Sequence, residues 1–328
     1  RSSSVAGATD ISPELTIERE IGFDIGFWEN KLSFEFTFYH SDVFDLIMSL
    51  PAPPSTGYTN MLANGGSMWN EGIELGITAN PVNTKDFNWV TAINYTRSYN
   101  LVTSLKADFY TLTGGFVGAV NSASVARPLG VFQTYGWLRY DATKAANAKP
   151  GDLDYVDPKE MAAYNYKNGD VRYSYWDADA GEVVGDDYGL NYVGAPRQNP
   201  NLLFIGNPNP AYMISWRNDF TFLENFTFSF LLDGVFGFDI WNGTRGALYN
   251  FGVSGDTKDR NDPWVENGHP VMDYSDPANP VQATKVEKYW SYYNGFNINE
   301  PFFEDGSFVK LREIKLDYRW NGLQDWNI

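Results

Sequence analysis

The stretch WDADAGEVVGDD, residues 176–187, spaces oxygen-bearing side chains closely enough to bind a metal ion. Asp177 and Asp179 are two residues apart and Glu182 follows them, and calcium is held in proteins by hard oxygen ligands of this kind. The stretch departs from an EF-hand loop because Gly181 comes one position early and no Glu closes the loop. A loop-ordering calcium ion at Asp177, Asp179 and Glu182 is one prediction, and a solvated acidic turn is the other.

Aromatic side chains cluster beside this stretch and again further along the chain. They are Tyr173, Tyr175, Trp176, Trp241, Trp264, Tyr289, Trp290, Tyr292 and Tyr293. Aromatic rings bury a large area for little loss of side-chain entropy, so they suit stacking on sugar rings or contact with a partner protein. Packing within loops, or an aromatic girdle at a membrane interface, would need the same residue types. We predict substrate or partner contact for this set.

Residues for covalent catalysis are sparse. His40 falls inside a strand pattern, His269 falls in a loop pattern, and neither a G-x-S-x-G elbow nor an H-E-x-x-H zinc motif occurs. A glycosidase needs only two carboxylates, but nothing in the spacing selects a pair from the 41 acidic residues. The sequence therefore predicts a protein that is not an enzyme.

Composition excludes several classes of protein. The net charge of -17 repels phosphate backbones, so nucleic acid is not an expected partner. The chain has no cysteine, which removes disulfides and thiolate metal sites. Mean hydropathy is -0.38 and no apolar run approaches the length of a transmembrane helix, whereas a membrane barrel would dilute its apolar residues in this way.

The elements that position these residues read as β-hairpins. In GFDIGFWENKLSFEFTFYHS, residues 22–41, apolar side chains recur at every second position on both sides of the tetrapeptide WENK. That period is the period of a strand. Alternation alone fits a soluble sandwich, a soluble barrel, or a membrane barrel with an apolar face on lipid and a polar face on a lumen.

The same pattern recurs along the chain. Residues 73–95 form a second hairpin around the turn NTKD, residues 212–238 form a third around LENF, and VFQTYGWLRY reads as one more strand. In FVKLREIKLDYRW the apolar phase changes near Arg312 and Glu313, which predicts a β-bulge there.

The predicted connections alternate in length. Turns within hairpins are about four residues long, whereas long segments separate the hairpins at 49–70, 141–210 and 241–307. Residues 151–200 hold ten acidic against four basic residues, which predicts exposed loops without a packed core. Short turns at one end and long loops at the other are typical of outer-membrane barrels, with the long loops outside the cell.

Five stretches in order resemble the C-terminal barrel region of the SusC/RagA family of TonB-dependent outer-membrane transporters of Bacteroidetes. They are PELTIEREIGFDIGFWENKLSFEFTFYHSDVFDLI, PPSTGY with NGGSMWNEGIEL, KDFNWVTAINYT, IGNPNPAYMISWRNDFTFLENFTFSFLLDGVFGFDIWNGT and FVKLREIKLDY. The resemblance implies that residues 1–328 are part of one antiparallel transmembrane β-barrel of 22 strands. The plug domain, the TonB-contacting segment and the last strands are expected outside this sequence.

The resemblance also implies a function. A SusC-like barrel imports oligosaccharides or peptides across the outer membrane, works with a SusD-like surface lipoprotein as a lid, is embedded in outer-membrane lipid, and takes energy from the TonB complex. The alternative from another class is a soluble or surface-anchored β-rich glycan-binding module or glycosidase.

Overall fold

One large antiparallel sheet dominates the computed structural model of the chain. The structure describes residues 5–7, 10–107, 109–114, 118–295 and 298–320. In the spatial order of the sheet, its strands are β2 (Leu15–Phe27), β3 (Leu32–Pro51), β4 (Asn60–Asn83), β5 (Phe87–Leu105), β13 (Tyr212–Phe222), β14 (Phe226–Phe236) and β21 (Phe308–Tyr318), with β1 (Val5–Ala6) parallel to β4. Among the described strands, β2 and β21 are the two edges.

The three predicted hairpins are confirmed. β2 and β3 pair from Phe27↔Leu32 to Leu15↔Phe44 around the WENK turn. Three consecutive residues of that turn, Trp28 to Asn30, adopt positive φ angles of 51°, 59° and 62°. β4 and β5 join through residues 84–86, and β13 and β14 join through residues 223–225. All three tight turns therefore lie at one end of the sheet.

The other end carries the long connections, which also form secondary structure. Their strands are β6 (Phe109–Gly114), β7 (Val120–Ser124), β8 (Val131–Thr134), β9 (Tyr175–Asp177), β10 (Glu182–Val184), β11 (Tyr192–Val193), β12 (Leu203–Gly206), β15 (Asp239–Trp241), β16 (Val265–Glu266), β17 (His269–Pro270), β18 (Met272–Asp273), β19 (Val281–Gln282) and β20 (Phe303–Asp305). Their helices are α1 (Ala142–Ala145), α2 (Pro158–Tyr164), α3 (Gly243–Asn250) and α4 (Lys285–Glu287), with short 3-10 or π turns at Pro54–Thr56, Gly255–Thr257, Lys288–Tyr292 and Glu300–Phe302. No helix of the described residues is long and apolar enough to cross a membrane.

These connections pack together around their own core. We call the described parts of residues 106–211 and 237–307 the loop layer. Its buried cluster comprises Trp137, Tyr192, Ala195, Trp264, Val271, Ala283, Tyr292 and Ile298. The prediction of loops without a packed core is therefore wrong, because aromatic and aliphatic side chains from separate stretches meet at this end of the sheet.

Two sequence predictions of strand and loop also need correction. The segment 49–70 is mostly strand, since β3 runs to Pro51 and β4 starts at Asn60, which leaves an eight-residue connection. VFQTYGWLRY forms only the short strand β8, which pairs with β7 and β12 outside the large sheet. Trp137 and Leu138 are both buried, so the second half of this stretch does not alternate between two faces.

Candidate functional site

The large sheet presents one apolar and one polar face. Residues directly opposite each other on antiparallel strands share a face, and successive residues alternate between faces. One row across the sheet reads Phe23, Phe36, Leu75, Tyr95, Ile214, Gly234 and Val309. The neighbouring row on the other face reads Asp24, Glu35, Gly76, Asn94, Ser215, Asp233 and Lys310.

Ion pairs and hydrogen bonds cover the polar face near β21. Arg217 Nε lies 3.0 Å from Asp219 Oδ2 and its Nη2 lies 3.5 Å from Glu313 Oε1. The Ser229 hydroxyl donates to Asp219 Oδ1 at 2.6 Å. A face that carries hydroxyl groups and charges of both signs stays hydrated, so it can line a path for polar solutes.

The predicted bulge is confirmed. In the β14–β21 ladder Leu231 faces Glu313 and Leu232 faces Leu311, so Arg312 is the extra residue. The bulge keeps Leu311 and Ile314 on the apolar face while Arg312 Nε contacts Asp233 Oδ2 at 2.8 Å. One additional residue thus adds a cation to the polar face without exposing a charge on the apolar face.

The indole N–H groups of two tryptophans on the apolar face are paired within it. Asn218 lies opposite Thr91 and Phe230 and is fully buried under aromatic rings. The Trp89 indole N–H donates to Asn218 Oδ1 at 3.0 Å, and the Trp216 indole N–H donates to Thr91 Oγ1 at 2.9 Å. Indole donors on an apolar face need partners of this kind wherever water is excluded.

The predicted calcium ligands bind an ammonium group. Lys159 Nζ lies 2.5 Å from Asp177 Oδ1 and 2.7 Å from Asp179 Oδ2, and this contact lowers the pKa of Asp177. Glu182 is exposed on β10, opposite Asp177 in the β9–β10 ladder. Within the described residues no group of three or more His, Asp or Glu side chains could hold a metal ion. Lys159 neutralises both aspartates in this arrangement, and calcium binding at Asp177, Asp179 and Glu182 stays a prediction.

The predicted contact aromatics divide into buried and accessible groups. Tyr173, Tyr175, Trp264 and Tyr292 are buried in the loop layer, where they act in packing. Trp176, Trp241, Tyr289 and Tyr293 are half-buried, and Trp290 is 68% exposed. The sequence could not separate the two groups, since both combine the same residue types without a periodic pattern.

The accessible aromatics include one wall of a pocket in the loop layer. Tyr249, Phe251, Tyr289 and Trp290 line a cavity of about 410 Å³, with the Arg260 side chain at its edge. The Tyr289 hydroxyl donates to Asp259 Oδ1 at 2.9 Å and Lys285 Nζ lies 2.6 Å from Asp259 Oδ2, which fixes this wall. Sequence reasoning missed Tyr249, Phe251 and Arg260. The run LYNF at the end of α3 was the available signal.

A buried ion pair stabilises the neighbouring part of the loop layer. Glu160 on α2 and Arg172 are 1% and 3% exposed, and Arg172 Nε and Nη2 donate to the two Glu160 carboxylate oxygens at 2.9 and 2.6 Å. The two Nη groups of Arg172 also donate to the carbonyls of Leu153 and Tyr155. Arg197 Nη1 lies 3.7 Å from Glu160. The pair ties α2 to the loop that precedes it.

The histidines do not form a catalytic arrangement with one another. His40 lies on β3 against the Trp69 ring, 3.3 Å from Asp42, and His269 on β17 contacts the edge of Tyr164. Both are therefore accounted for by local packing and ion pairing.

Comparison with known proteins identifies relatives among TonB-dependent receptors. The family model described as "TonB dependent receptor-like, beta-barrel" matches residues 1–188. TonB-dependent receptor P39 of Formosa agariphila is 26% identical over 331 residues, which cover 96% of this chain and 30% of that protein. TonB-dependent receptor SusC of Bacteroides thetaiotaomicron is 29% identical over 149 residues, which cover 44% of this chain and 15% of that protein.

Solved structures show the same fold. The RagAB peptide importer in its "closed-closed" state superposes with a TM-score of 0.60 and 18% identity over 96% of this chain and 30% of that chain. The present chain thus spans less than a third of the length of these relatives. The resemblance stated from the motifs is confirmed, and the chain belongs to the TonB-dependent receptor-like β-barrel family.

Proposed function

We propose that this chain forms part of the wall and loop layer of a SusC-like importer in the bacterial outer membrane. The observation that carries the proposal is the division of the large sheet into an apolar and a polar face, with the tight turns at one end and a packed loop layer at the other. A sheet with these properties places its apolar face on lipid and its polar face on a hydrated lumen.

The substrates we propose are oligosaccharides or peptides. The polar face offers hydroxyls, amides and ion pairs along the path, and the pocket at Tyr249, Phe251 and Trp290 offers apolar ring faces with Arg260 beside them. A sugar ring and an aromatic or aliphatic side chain both fit such walls. No covalent step is part of the proposal, since import needs only binding and release.

The partners we propose act at opposite ends of the barrel. A SusD-like lipoprotein would cover the loop layer, and the TonB complex would act on a segment outside this chain. SusC among the relatives and the RagAB importer among the similar structures support this pairing. The acidic, aromatic surface of the loop layer gives such a lid both charge and apolar area to recognise.

Two experiments test the proposal on the full-length protein. A cell fractionation should recover it only with detergent, and recovery in a buffer-soluble fraction would overturn the outer-membrane assignment. A deletion strain grown on single glycans and single peptides should lose growth on one class, which names the substrate. Unchanged growth on every tested glycan and peptide would refute import of these classes.

The pocket has its own test. Trp290→Ala removes an exposed wall of the pocket, and truncation of an aromatic contact of this kind costs about 2 kcal/mol or roughly thirtyfold in affinity. Trp28→Ala is the matched control, since Trp28 is 72% exposed but lies in the turn at the other end of the sheet. Equal half-saturation for uptake in both variants would exclude the pocket from substrate or lid binding.

A further inference from the structure

A notch opens where β5 extends past the start of β13. The last pair between these strands is Thr96↔Met213, while β5 continues to Leu105. Tyr95 and residues 97–100 of β5, Pro128, Asn207, residues 209–212 and Gly237 enclose a cavity of about 310 Å³, which we call the β5 notch. The Leu129 backbone links two of the lining residues. Its N–H donates to Asn100 Oδ1 at 2.6 Å, and its carbonyl oxygen accepts from Asn209 Nδ2 at 2.8 Å.

The notch lies at the boundary of the apolar face that is nearer the loop layer. Arg97 is opposite Ile73 and therefore shares the face of Leu75, Tyr95 and Ile214. At about 3.4 Å per residue, Arg97 stands about 34 Å along β5 from Phe87 at the turn end. With a strand tilt of about 40–45°, that distance corresponds to about 25 Å of height, the height of the apolar band of a membrane barrel.

Arg97 carries the uncompensated charge at this level. Nearby on the same face Arg19 pairs with Asp42 at 2.8 Å, and His40 Nδ1 lies 3.6 Å from Glu71. Within the described residues the Arg97 guanidinium has no ion pair or hydrogen-bond partner, and no carboxylate lines the notch. A cationic lining is unusual for a chain with a net charge of -17.

Further donors are available beside the guanidinium. The Asn207 side-chain oxygen accepts from the backbone and side-chain nitrogens of Asn209, while the Asn207 NH₂ group has no partner among the described residues. A guanidinium and an amide donor in the lining of one cavity suit a phosphate group, which accepts several hydrogen bonds.

An exposed apolar strip leads from the notch toward the turn end. Tyr95 and Tyr212 stack at a centroid distance of 5.9 Å directly below the notch. Ile214, Ile93 and Trp216 continue the strip on the next pairs of β5 and β13, and all three are exposed. A phosphate site above such a strip matches an amphiphile, since its acyl chain would cover the strip while its headgroup reaches Arg97.

We propose that the β5 notch binds the phosphate headgroup of a phosphorylated lipid in the leaflet on the loop side of the barrel. The inference rests on the proposed membrane location, which orients the apolar face toward lipid. Arg97 supplies the charge-assisted hydrogen bonds, Asn207 supplies a neutral donor, and the strip at Ile214 and Trp216 supplies the acyl contact. Free phosphate would share the first two interactions but not the third.

Native mass spectrometry of the full-length protein in detergent tests the site. The probes are dioleoyl phosphatidic acid, dioleoyl phosphatidylcholine and inorganic phosphate. For wild type, we expect phosphatidic acid to bind most tightly. Arg97→Gln should weaken it about tenfold, the effect of one lost charge-assisted contact, and Arg97→Lys should weaken it less. Arg319→Gln removes an exposed arginine at the turn end and should leave phosphatidic acid binding unchanged.

Each other result would overturn the proposal. Equal binding of phosphatidic acid by wild type and Arg97→Gln would remove the headgroup site, and equal binding of the two lipids would remove phosphate selectivity. Inorganic phosphate that binds as tightly as phosphatidic acid would make the notch an anion site without a lipid role. A protein that imports its substrate but shows no lipid preference would refute this inference and leave the proposed function intact.

Discussion

Glu160→Gln should destabilise the loop layer more than any exposed carboxylate substitution. Arg172 is 3% exposed and its guanidinium is held by both Glu160 oxygens and by two backbone carbonyls. The variant keeps the shape of the side chain but removes its charge, so Arg172 stays buried with an unbalanced positive charge, and Arg197, 3.7 Å from the Glu160 carboxylate, also loses its partner. Breaking one partner of a buried ion pair costs about 3–5 kcal/mol.

Hydrogen exchange of the full-length protein in detergent measures this cost locally. At about 1.4 kcal/mol per tenfold change, backbone amides of α2 and of residues 172–175 should exchange about two to three and a half orders of magnitude faster. Amides of β13 and β14 should keep their wild-type rates. Glu182→Gln is the matched control, because Glu182 is exposed on β10 in the same layer.

A double variant separates a lost charge pair from lost packing. Glu160→Leu with Arg172→Met removes both charges and keeps apolar volume, so much of the stability should return. A change below about 1 kcal/mol in the Glu160→Gln exchange data, or a double variant as unstable as the single one, would refute the role assigned to the pair.

Two further predictions concern the loop layer and the bulge. Burial raises the pKa of Tyr173 and of Tyr192 from 10.0 to about 12. Their contribution to stability is therefore fully present below pH 10 and is lost as pH rises toward 12, which near-ultraviolet circular dichroism should show as loss of aromatic signal in the loop layer while far-ultraviolet strand signal persists. Deletion of Arg312 should leave folded protein in the membrane fraction, because the alternation of β21 continues without the bulge, whereas deletion of Leu316 should abolish assembly, because Asp317 would move to the apolar face. Electrophoretic mobility with and without heating measures both, and equal behaviour of the two deletions would contradict the register.

The strands of the large sheet were largely predictable from residues alone. In residues 21–38 of β2 and β3 and in most of β13 and β14 apolar side chains face each other at every second position, and this period of two specifies the register. The bulge at Arg312 was predictable for the same reason, since only an extra residue reconciles the phases of Leu311 and Ile314.

The start of β4 was not predictable in this way. Residues 60–67 contain Asn, Gly and Ala, which have low strand propensity, yet they pair with β3, and β4 pairs with β5 from Gly66 on. Strand propensity is dominated by context, and the ladders to the neighbouring strands decide this segment. A reading of local composition therefore mistook an extended hairpin for a loop.

The loop layer and its candidate sites lay beyond local patterns. Trp264 is fully buried and Trp290 is 68% exposed, although both were read as contact residues. Their environments are set by residues far away in the chain, as when Asn299 Nδ2 donates to Thr134 Oγ1 across 165 residues. Whether Arg97 has an ion-pair partner likewise depends on the neighbours that the sheet places around it, so its charge could not be singled out from the sequence.

The assembly of the loop layer from distant stretches has a consequence for the order of folding. Contact between Thr134 and Asn299 is unfavourable in a disordered chain, because closing so long a loop loses conformational entropy before any contact offsets that loss. Pairing of β5 with β13 and of β14 with β21 shortens that search by bringing the ends of both stretches to one edge. The loop layer should therefore become ordered after the large sheet has formed, so an ordered loop layer reports that the strands of the sheet have paired.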